Sequence, residues 1–259
     1  MGKLKSRLFL WIEKVLARCT DKIVCISEAE RTSALNNRIT TDNKLNVILN
    51  GIDINAIEKA VPKSREELDI PKDAYLVGMV GRISPQKAPD TFIKAAKLIK
   101  DRIPEAWFII VGDGEQRTEI ETYARDNNLG LYITGWTDEP YAYMKMFDLA
   151  MLLSRWEGFG LAIVEYMAAK KNFIATRIDA IPTIVRDGVD GILVDVDKPE
   201  QVAKAVCRIY SNKEYAMKLR EEAYQTACTK YDIHRVAEQH LKMFNELVNS
   251  SENKSNSNS

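Results

Sequence analysis

Apolar residues in this chain follow two alternating rhythms, one of short continuous runs and one of helical period. Near the N-terminus, Leu4, Leu8, Trp11, Ile12, Val15 and Leu16 recur at three- and four-residue spacing between Lys3 and Arg18, which predicts an amphipathic helix. KIVCI (Lys22–Ile26) reads as a short buried strand, after which Ser27 starts a helix that Glu30 completes as a capping box. NVILNGID (Asn46–Asp53) reads as a strand closed by an Asn-Gly turn. Residues 56–73 are charged, carry Pro62 and Pro71, and are expected to form a linker after a first segment, 1–55. Six apolar runs follow: Tyr75–Gly81, Trp107–Gly112, Leu131–Gly135, Asp148–Ser154, Phe173–Thr176 and Gly191–Val194. Most are too continuous for strands with one wet face, and amphipathic stretches such as Thr91–Lys100 separate them. The alternation predicts an α/β fold over 74–235, a doubly wound parallel sheet covered by helices on both faces. A last helix is expected over 236–249, its pattern beginning at Asp232, and the polar low-complexity stretch 250–259 is expected to be disordered.

Charge and cysteine usage narrow the function. The 259 residues hold 37 Lys plus Arg and 37 Asp plus Glu, a net charge of zero. A general nucleic-acid binder carries a basic excess, so nucleic acid is not an expected partner, while a local basic site for phosphate stays compatible. Cys19, Cys25, Cys207 and Cys228 are scattered without a C-x-x-C pair, which suits reduced thiols in a cytoplasmic protein. No run approaches the ~18 apolar residues of a membrane span. Leu8–Val15 is interrupted by Glu13 and lacks a cleavage site, so a secretory signal is not expected.

Ligands of doubly wound sheets dock at the carboxyl ends of the strands, and several strands here end in glycine: Gly81, Gly112 with Gly114, and Gly135. Glycine serves a tight turn and a close ligand approach equally, so both readings stand. Directly after the first of these strands, Gly81-Arg82-Ile83-Ser84-Pro85-Gln86-Lys87 places two cations on one strand-to-helix loop. A guanidinium fork and an ammonium together suit a diphosphate, and the following helix adds its positive end. Solvated surface is the competing reading, and the loop lacks the spacing of a Walker A motif. The second constellation is Glu157-Gly158-Phe159-Gly160-Leu161-Ala162-Ile163-Val164-Glu165. Glu157 falls in the binding-edge loop, while Glu165 falls in a helix among Ala162, Ile163, Val164 and Met167, an odd place for a solvated acid. A carboxylate there can accept both hydrogen bonds of a ribose diol, and the backbone at Gly160 and Leu161 can meet a phosphate. An ordinary helix-surface glutamate is the alternative.

In that order and spacing, the sequence resembles the retaining glycosyltransferases of family 4, whose GT-B architecture pairs two Rossmann-like domains. The resemblance rests on KIVCISEAER (Lys22–Arg31), VILNGID (Val47–Asp53), GRISPQK (Gly81–Lys87), VGDGE (Val111–Glu115), ITGW (Ile133–Trp136), EGFGLAIVEYMA (Glu157–Ala168) and DGVDGILV (Asp187–Val194). It implies a hexosyl-transferring enzyme using a nucleotide-sugar donor, a UDP-sugar foremost. Residues 74–235 would be the Rossmann-like donor domain, and 1–55 a remnant of the acceptor domain toward which the helix 236–249 packs. Arg82 and Lys87 would hold the diphosphate and stabilise it as it leaves; Glu165 would hold the ribose. Glu157 and the Gly158, Phe159, Gly160 and Leu161 backbone would lie against the donor sugar and phosphates, Gly81 would also bind the donor, and Gly135 and Trp136 would flank the base. Arg82, Lys87 and Glu157 are the catalytic candidates.

The resemblance implies no metal and no cofactor. Its acceptor would be a saccharide or lipid-linked saccharide, in bacterial cell-surface polysaccharide assembly such as capsule or exopolysaccharide. Asp195-x-Asp197 follows the last strand and reads as a loop rather than a metal site. His234 and His240 are six apart on one helix and face different ways. Two departures stand out: Ala88 replaces a glycine usual in the family, and Asp179-Ala180-Ile181-Pro182-Thr183 replaces a Gly-Gly-x-Pro-Glu pattern, which puts donor contacts of that loop in doubt. Only about 55 residues precede the linker, so a separate acceptor-binding subunit is one expectation and a donor-binding fragment without activity of its own another. A non-catalytic nucleotide-binding module is the alternative from a different class. A dinucleotide oxidoreductase is disfavoured because no strand leads into G-x-G-x-x-G. The basic residues Lys3, Lys5, Arg7, Lys14 and Arg18 beside Leu8, Phe9 and Trp11 also suit peripheral attachment to the inner face of a membrane.

Overall fold

The structure, a computed structural model, describes residues 3–256. Two compact units divide the chain: Met1–Gly51 with Lys230–Ser259, and Ile52–Thr229. The smaller begins with α1 (Lys3–Leu16), β1 (Ile23–Cys25), α2 (Glu28–Asn36) and β2 (Leu45–Val47). The Ser27 hydroxyl accepts from the Glu30 N–H at 3.1 Å, and the Glu30 carboxylate reaches back to the Ile26 N–H at 3.0 Å, one residue before the cap. β1 and β2 pair in parallel, Ile23 opposite Leu45 through Cys25 opposite Val47.

The larger unit runs α3 (Ile54–Lys59), β3 (Tyr75–Val80), α4 (Pro89–Lys100), β4 (Ala106–Val111), α5 (Arg117–Asp126), β5 (Leu131–Ile133), α6 (Pro140–Met144), β6 (Leu149–Leu152), α7 (Leu161–Ala168), β7 (Asn172–Thr176), α8 (Ile181–Ile184), β8 (Ile192–Val194), α9 (Pro199–Ser211) and α10 (Lys213–Lys230). The chain then returns to the smaller unit as α11 (Ile233–Asn256), where Val236 and Met243 pack on Ile48 and Val24.

One expectation needs correction. Residues 56–73 are not a free linker: α3 packs on α7 with Ile57 fully buried, and its Glu58 carbonyl accepts from Lys145 at 2.7 Å. Farther along, Arg65 binds the Ala74 carbonyl at 2.7 Å and Asp148 at 3.0 Å, which ties the segment to the sheet. The apolar pair Ile54 and Ile57, at i,i+3, outweighs the surrounding charge. α11 runs through Asn256, into the stretch 250–259 expected to be disordered, and residues 257–259 lie outside the described residues.

All six strands of the larger unit are parallel, in the order β5-β4-β3-β6-β7-β8. The chain works outward from β3 on one side and then from β6 on the other, so the order reverses between those two strands. That reversal opens a crevice at the strand ends. β3 and β4 pair along their whole length, from Tyr75 opposite Ala106 to Val80 opposite Val111. β3 and β6 pair only at Val77 with Leu149 and Gly78 with Ala150, and then part. Beyond the last pair, the Tyr166 hydroxyl accepts from the Val80 N–H at 2.9 Å and donates to the Met151 carbonyl at 3.3 Å. This side chain is fully buried, and its hydroxyl stands in for the ladder bonds that the diverging strands cannot make. Tyr166→Phe leaves a backbone donor and acceptor short of a partner and is expected to destabilise the fold by about 1–3 kcal/mol, measured by denaturant unfolding.

Candidate functional site

The loops that leave β3 and β6 flank the crevice. On the β3 side the backbones pack without room for side chains. Gly112 has a φ of +146°, and a Cβ there would lie 2.2 Å from the Gly81 carbonyl oxygen. A Cβ on Gly114 would lie 2.3 Å from the Ile83 oxygen. Close backbone packing therefore accounts for both glycines. Gly158 differs, since nothing stands within 4 Å of where its Cβ would be, and the space beside it is open to a ligand.

Lys87 and Glu157 meet across the crevice at 2.6 Å, with side chains only 18% and 12% exposed. The Ser154 hydroxyl donates to the same carboxylate oxygen at 3.0 Å. The Glu157 N–H donates to the Asp179 carboxylate at 2.9 Å, so the acid is fixed through both backbone and side chain. Asp179 belongs to the loop whose sequence departs most from the family pattern, and here it serves that loop's neighbour.

Arg155 braces the two loops. Its guanidinium bonds Asp90 at 2.7 and 2.9 Å, Asp197 at 3.0 Å and the Pro85 carbonyl at 2.9 Å. Its backbone N–H donates to the Gln86 carbonyl at 2.8 Å, and the Gln86 amide to the Trp156 carbonyl at 3.1 Å. Arg155 holds the Asp197 carboxyl below the usual carboxylate range, and Thr91 adds to the effect. Asp195 bonds the Gln201 amide at 2.9 Å, so both acids of the Asp195-x-Asp197 pair have structural partners. Lys87 is followed by Ala88 at φ 50°, a left-handed conformation that costs an L-residue about 1–2 kcal/mol. The family's glycine would adopt it freely, so the substitution strains the loop as well as restricting it.

Arg82 points elsewhere. It is 74% exposed, stands 3.5 Å from Glu115, and lines a cleft of about 510 Å³ with Gly81, Gly112, Pro140 and the 81% exposed Trp136. The Thr134 hydroxyl accepts from the Gly112 N–H at 3.1 Å and donates to the Gly135 carbonyl at 2.6 Å, which fixes the loop carrying Trp136 to β4. Across from it, α7 begins at Gly160, φ +95°, without a side-chain cap. Glu165 on α7 accepts from the Tyr141 hydroxyl at 3.0 Å; burial raises its pKa, and the tyrosine's hydrogen bond partly opposes the rise.

The structure thus brings Lys87 and Glu157 into contact, with Gly81 beneath the lysine, and gathers Arg82 and Trp136 on the neighbouring cleft. Phe159 is buried, so only its backbone can face a ligand, while Leu161 is exposed. Sequence reading missed Tyr141, Ser154, Arg155 and Asp179. Ser154 ends a strand run and Asp179 marks a departure from the family pattern, whereas Tyr141 carried no signal. Among the described residues, no cluster of three His, Cys, Asp or Glu is arranged to hold a metal ion, and no helix is long and apolar enough to cross a membrane.

The chain is similar to several known proteins. The α-1,3-galactosyltransferase of Escherichia coli named for UDP-Gal and α-D-GlcNAc-diphosphoundecaprenol is 30% identical over 214 residues, 80% of this chain and 55% of that protein. The lipopolysaccharide core biosynthesis glycosyltransferase LpsE of Rhizobium meliloti is 27% identical over 87% of this chain and 64% of its own length. The chain thus spans between about half and two thirds of these relatives. Alr3699/HepE of Anabaena, solved in complex with UDP, superposes with a TM-score of 0.79 at 22% identity, covering 87% of this chain and 64% of that one. The C-terminal domain of the group 1 glycosyl transferase LpcC from Francisella tularensis matches over its whole length and 71% of this chain, at 26% identity and a TM-score of 0.63. Residues 60–226, most of the larger unit and the whole crevice, match the family described as glycosyl transferases group 1, and the chain belongs to that family.

Proposed function

We propose that this chain is the donor-binding part of a retaining glycosyltransferase of family 4, which takes a hexosyl group from a UDP-sugar. The observation that carries the reading is the junction of Lys87, Glu157 and the uncapped start of α7 at the crevice between β3 and β6, beside the cleft of Arg82 and Trp136. In this reading Lys87 and the start of α7 meet the diphosphate from the crevice and Arg82 reaches it from the neighbouring cleft, in place of a metal. In this reading Trp136 and Gly135 flank the base, Glu165 takes the ribose hydroxyls, and Arg82 and Lys87 take the diphosphate. Glu157 and the Gly158–Leu161 backbone face the sugar. The acceptor hydroxyl attacks the anomeric carbon from the face the nucleotide leaves; the new glycosidic bond forms, the bond to phosphate breaks, and the acceptor's proton passes to the departing phosphate.

UDP is favoured because the Anabaena neighbour was solved with it and the E. coli relative is named for UDP-Gal. Those relatives also support a saccharide or lipid-linked acceptor and a role in bacterial surface polysaccharide, held by an acceptor domain on a longer chain or a separate subunit. A cytoplasmic location, with α1 resting on the inner face of a membrane, fits its exposed Leu8, Phe9 and Trp11.

Two measurements test this reading. Calorimetric titration is expected to give saturable UDP binding that weakens about 10- to 100-fold in Lys87→Met, the loss of a charge-assisted hydrogen bond. Absence of binding, or equal affinity in the variant, overturns the donor site. The second is the pH dependence of that affinity. Only the ionised carboxylate accepts both ribose hydrogen bonds, and burial raises the pKa of Glu165, so affinity should hold at neutral pH and fall on acidification above the ordinary glutamate value of about 4.3. Glu165→Gln should bind more weakly and lose this component; an unchanged pH profile in the variant removes Glu165 from the ribose.

A further inference from the structure

At the opposite edge of the same sheet, where β3, β6 and β7 begin, lies a second cleft of about 510 Å³. The six residues of β3 separate the two edges by about 20 Å, so it shares nothing with the crevice. The strand starts supply Tyr75, Asp148 and Asn172, and the corner between α9 and α10 supplies Ile209, Met217, Lys213 and Arg220.

Two independent features of this cleft call for a ligand. The first is Asn172, 7% exposed, whose side-chain oxygen has no hydrogen-bond partner. Buried amides are nearly always satisfied, and a half-turn of this one exchanges oxygen for nitrogen, so it can offer a bound molecule either an acceptor or a donor. The second is charge. Asp148 is taken up by Arg65 at 3.0 Å and the Leu76 N–H at 2.8 Å, and Glu105 in the adjoining hollow by the Tyr210 hydroxyl. The side chains of Lys213 and Arg220 make no ion pair or hydrogen bond among the described residues. Behind them, burial pushes the Lys171 amine down to about 8, with Lys145, Arg220 and Arg65 adding to the effect and Asp148 opposing it. Arg65 balances the charge of Asp148, so Lys213 and Arg220 leave this cleft positive, while Asp73 and Glu105 line the adjoining hollow that Lys213 also borders. The remaining wall is apolar, formed by Ile209, Ala216, Met217 and the Tyr75 ring, which meets Tyr210 edge-on at 5.0 Å.

We propose that this cleft binds a small organic anion, its phosphate or carboxylate group held by Arg220 and Lys213 and its ring or alkyl body lying on Tyr75, Ile209 and Met217 beside the Asn172 amide. The site is independent of the donor reading, since no residue is shared. Phenyl phosphate is a suitable probe, followed through the Met217 methyl resonance in full-length protein labelled at its methionine methyl groups. A saturable shift is expected. Arg220→Gln and Lys213→Gln, both at exposed positions, should each weaken it roughly tenfold. Inorganic phosphate and phenol should both bind more weakly than the probe that joins them. No saturable shift, or full affinity in both variants, overturns the site. Equal affinity for phenol overturns the anion pocket, and equal affinity for inorganic phosphate overturns the apolar body.

Discussion

Where two parallel strands part, each leaves backbone groups that its neighbour no longer satisfies, and in a buried sheet water is not there to replace them. β3 and β6 part after two residue pairs, and the buried hydroxyl of Tyr166 accepts from one strand and donates to the other. One side chain thus stabilises the gap without closing it. Its neighbour in sequence profits. Successive residues on a helix point about 100° apart, so the turn of α7 that anchors Tyr166 in the sheet aims Glu165 away from it, toward Tyr141. The opening and the acid beside it are products of the same helix.

Around that opening, the loops are held as firmly as the strands. Arg155 ties the β6 loop to the start of α4 and to Asp197 after β8, and contacts at Gly112 and Gly114 press the β4 loop onto the β3 loop with no side chain between. Functional groups on loops gain precision only when a second layer fixes them. Here the second layer is mostly charge pairs and backbone contacts, and Trp136, standing free at the rim, is an exception.

Much of this was legible in one dimension. Continuous apolar runs at regular intervals imply a parallel sheet because only a doubly covered strand tolerates them, and all six runs became its strands. The glycine ends and the two flanking motifs were visible because they follow strands directly. α3 was not visible, because its two buried isoleucines lie among charges and prolines that read as a linker. The bracing residues escaped for a different reason: Arg155 meets Asp90, Tyr141 meets Glu165 and Asp179 meets Glu157 only after the chain has folded. Residue type alone cannot tell a cation that waits for a ligand from one that locks a loop. Arg82 and Arg155 look alike in the sequence and differ in the fold, the first open to the cleft and the second enclosed by carboxylates.

The ion pair of Lys87 and Glu157 has a consequence for selectivity. Because the lysine already has a partner at 2.6 Å in a poorly hydrated place, an arriving anion gains only the difference between its own attraction and the glutamate's. A weakly charged visitor gains little from the exchange. One carrying several negative oxygens, with the start of α7 to share the load, gains much more. Glu157 thereby makes entry to the crevice depend on the charge of what enters.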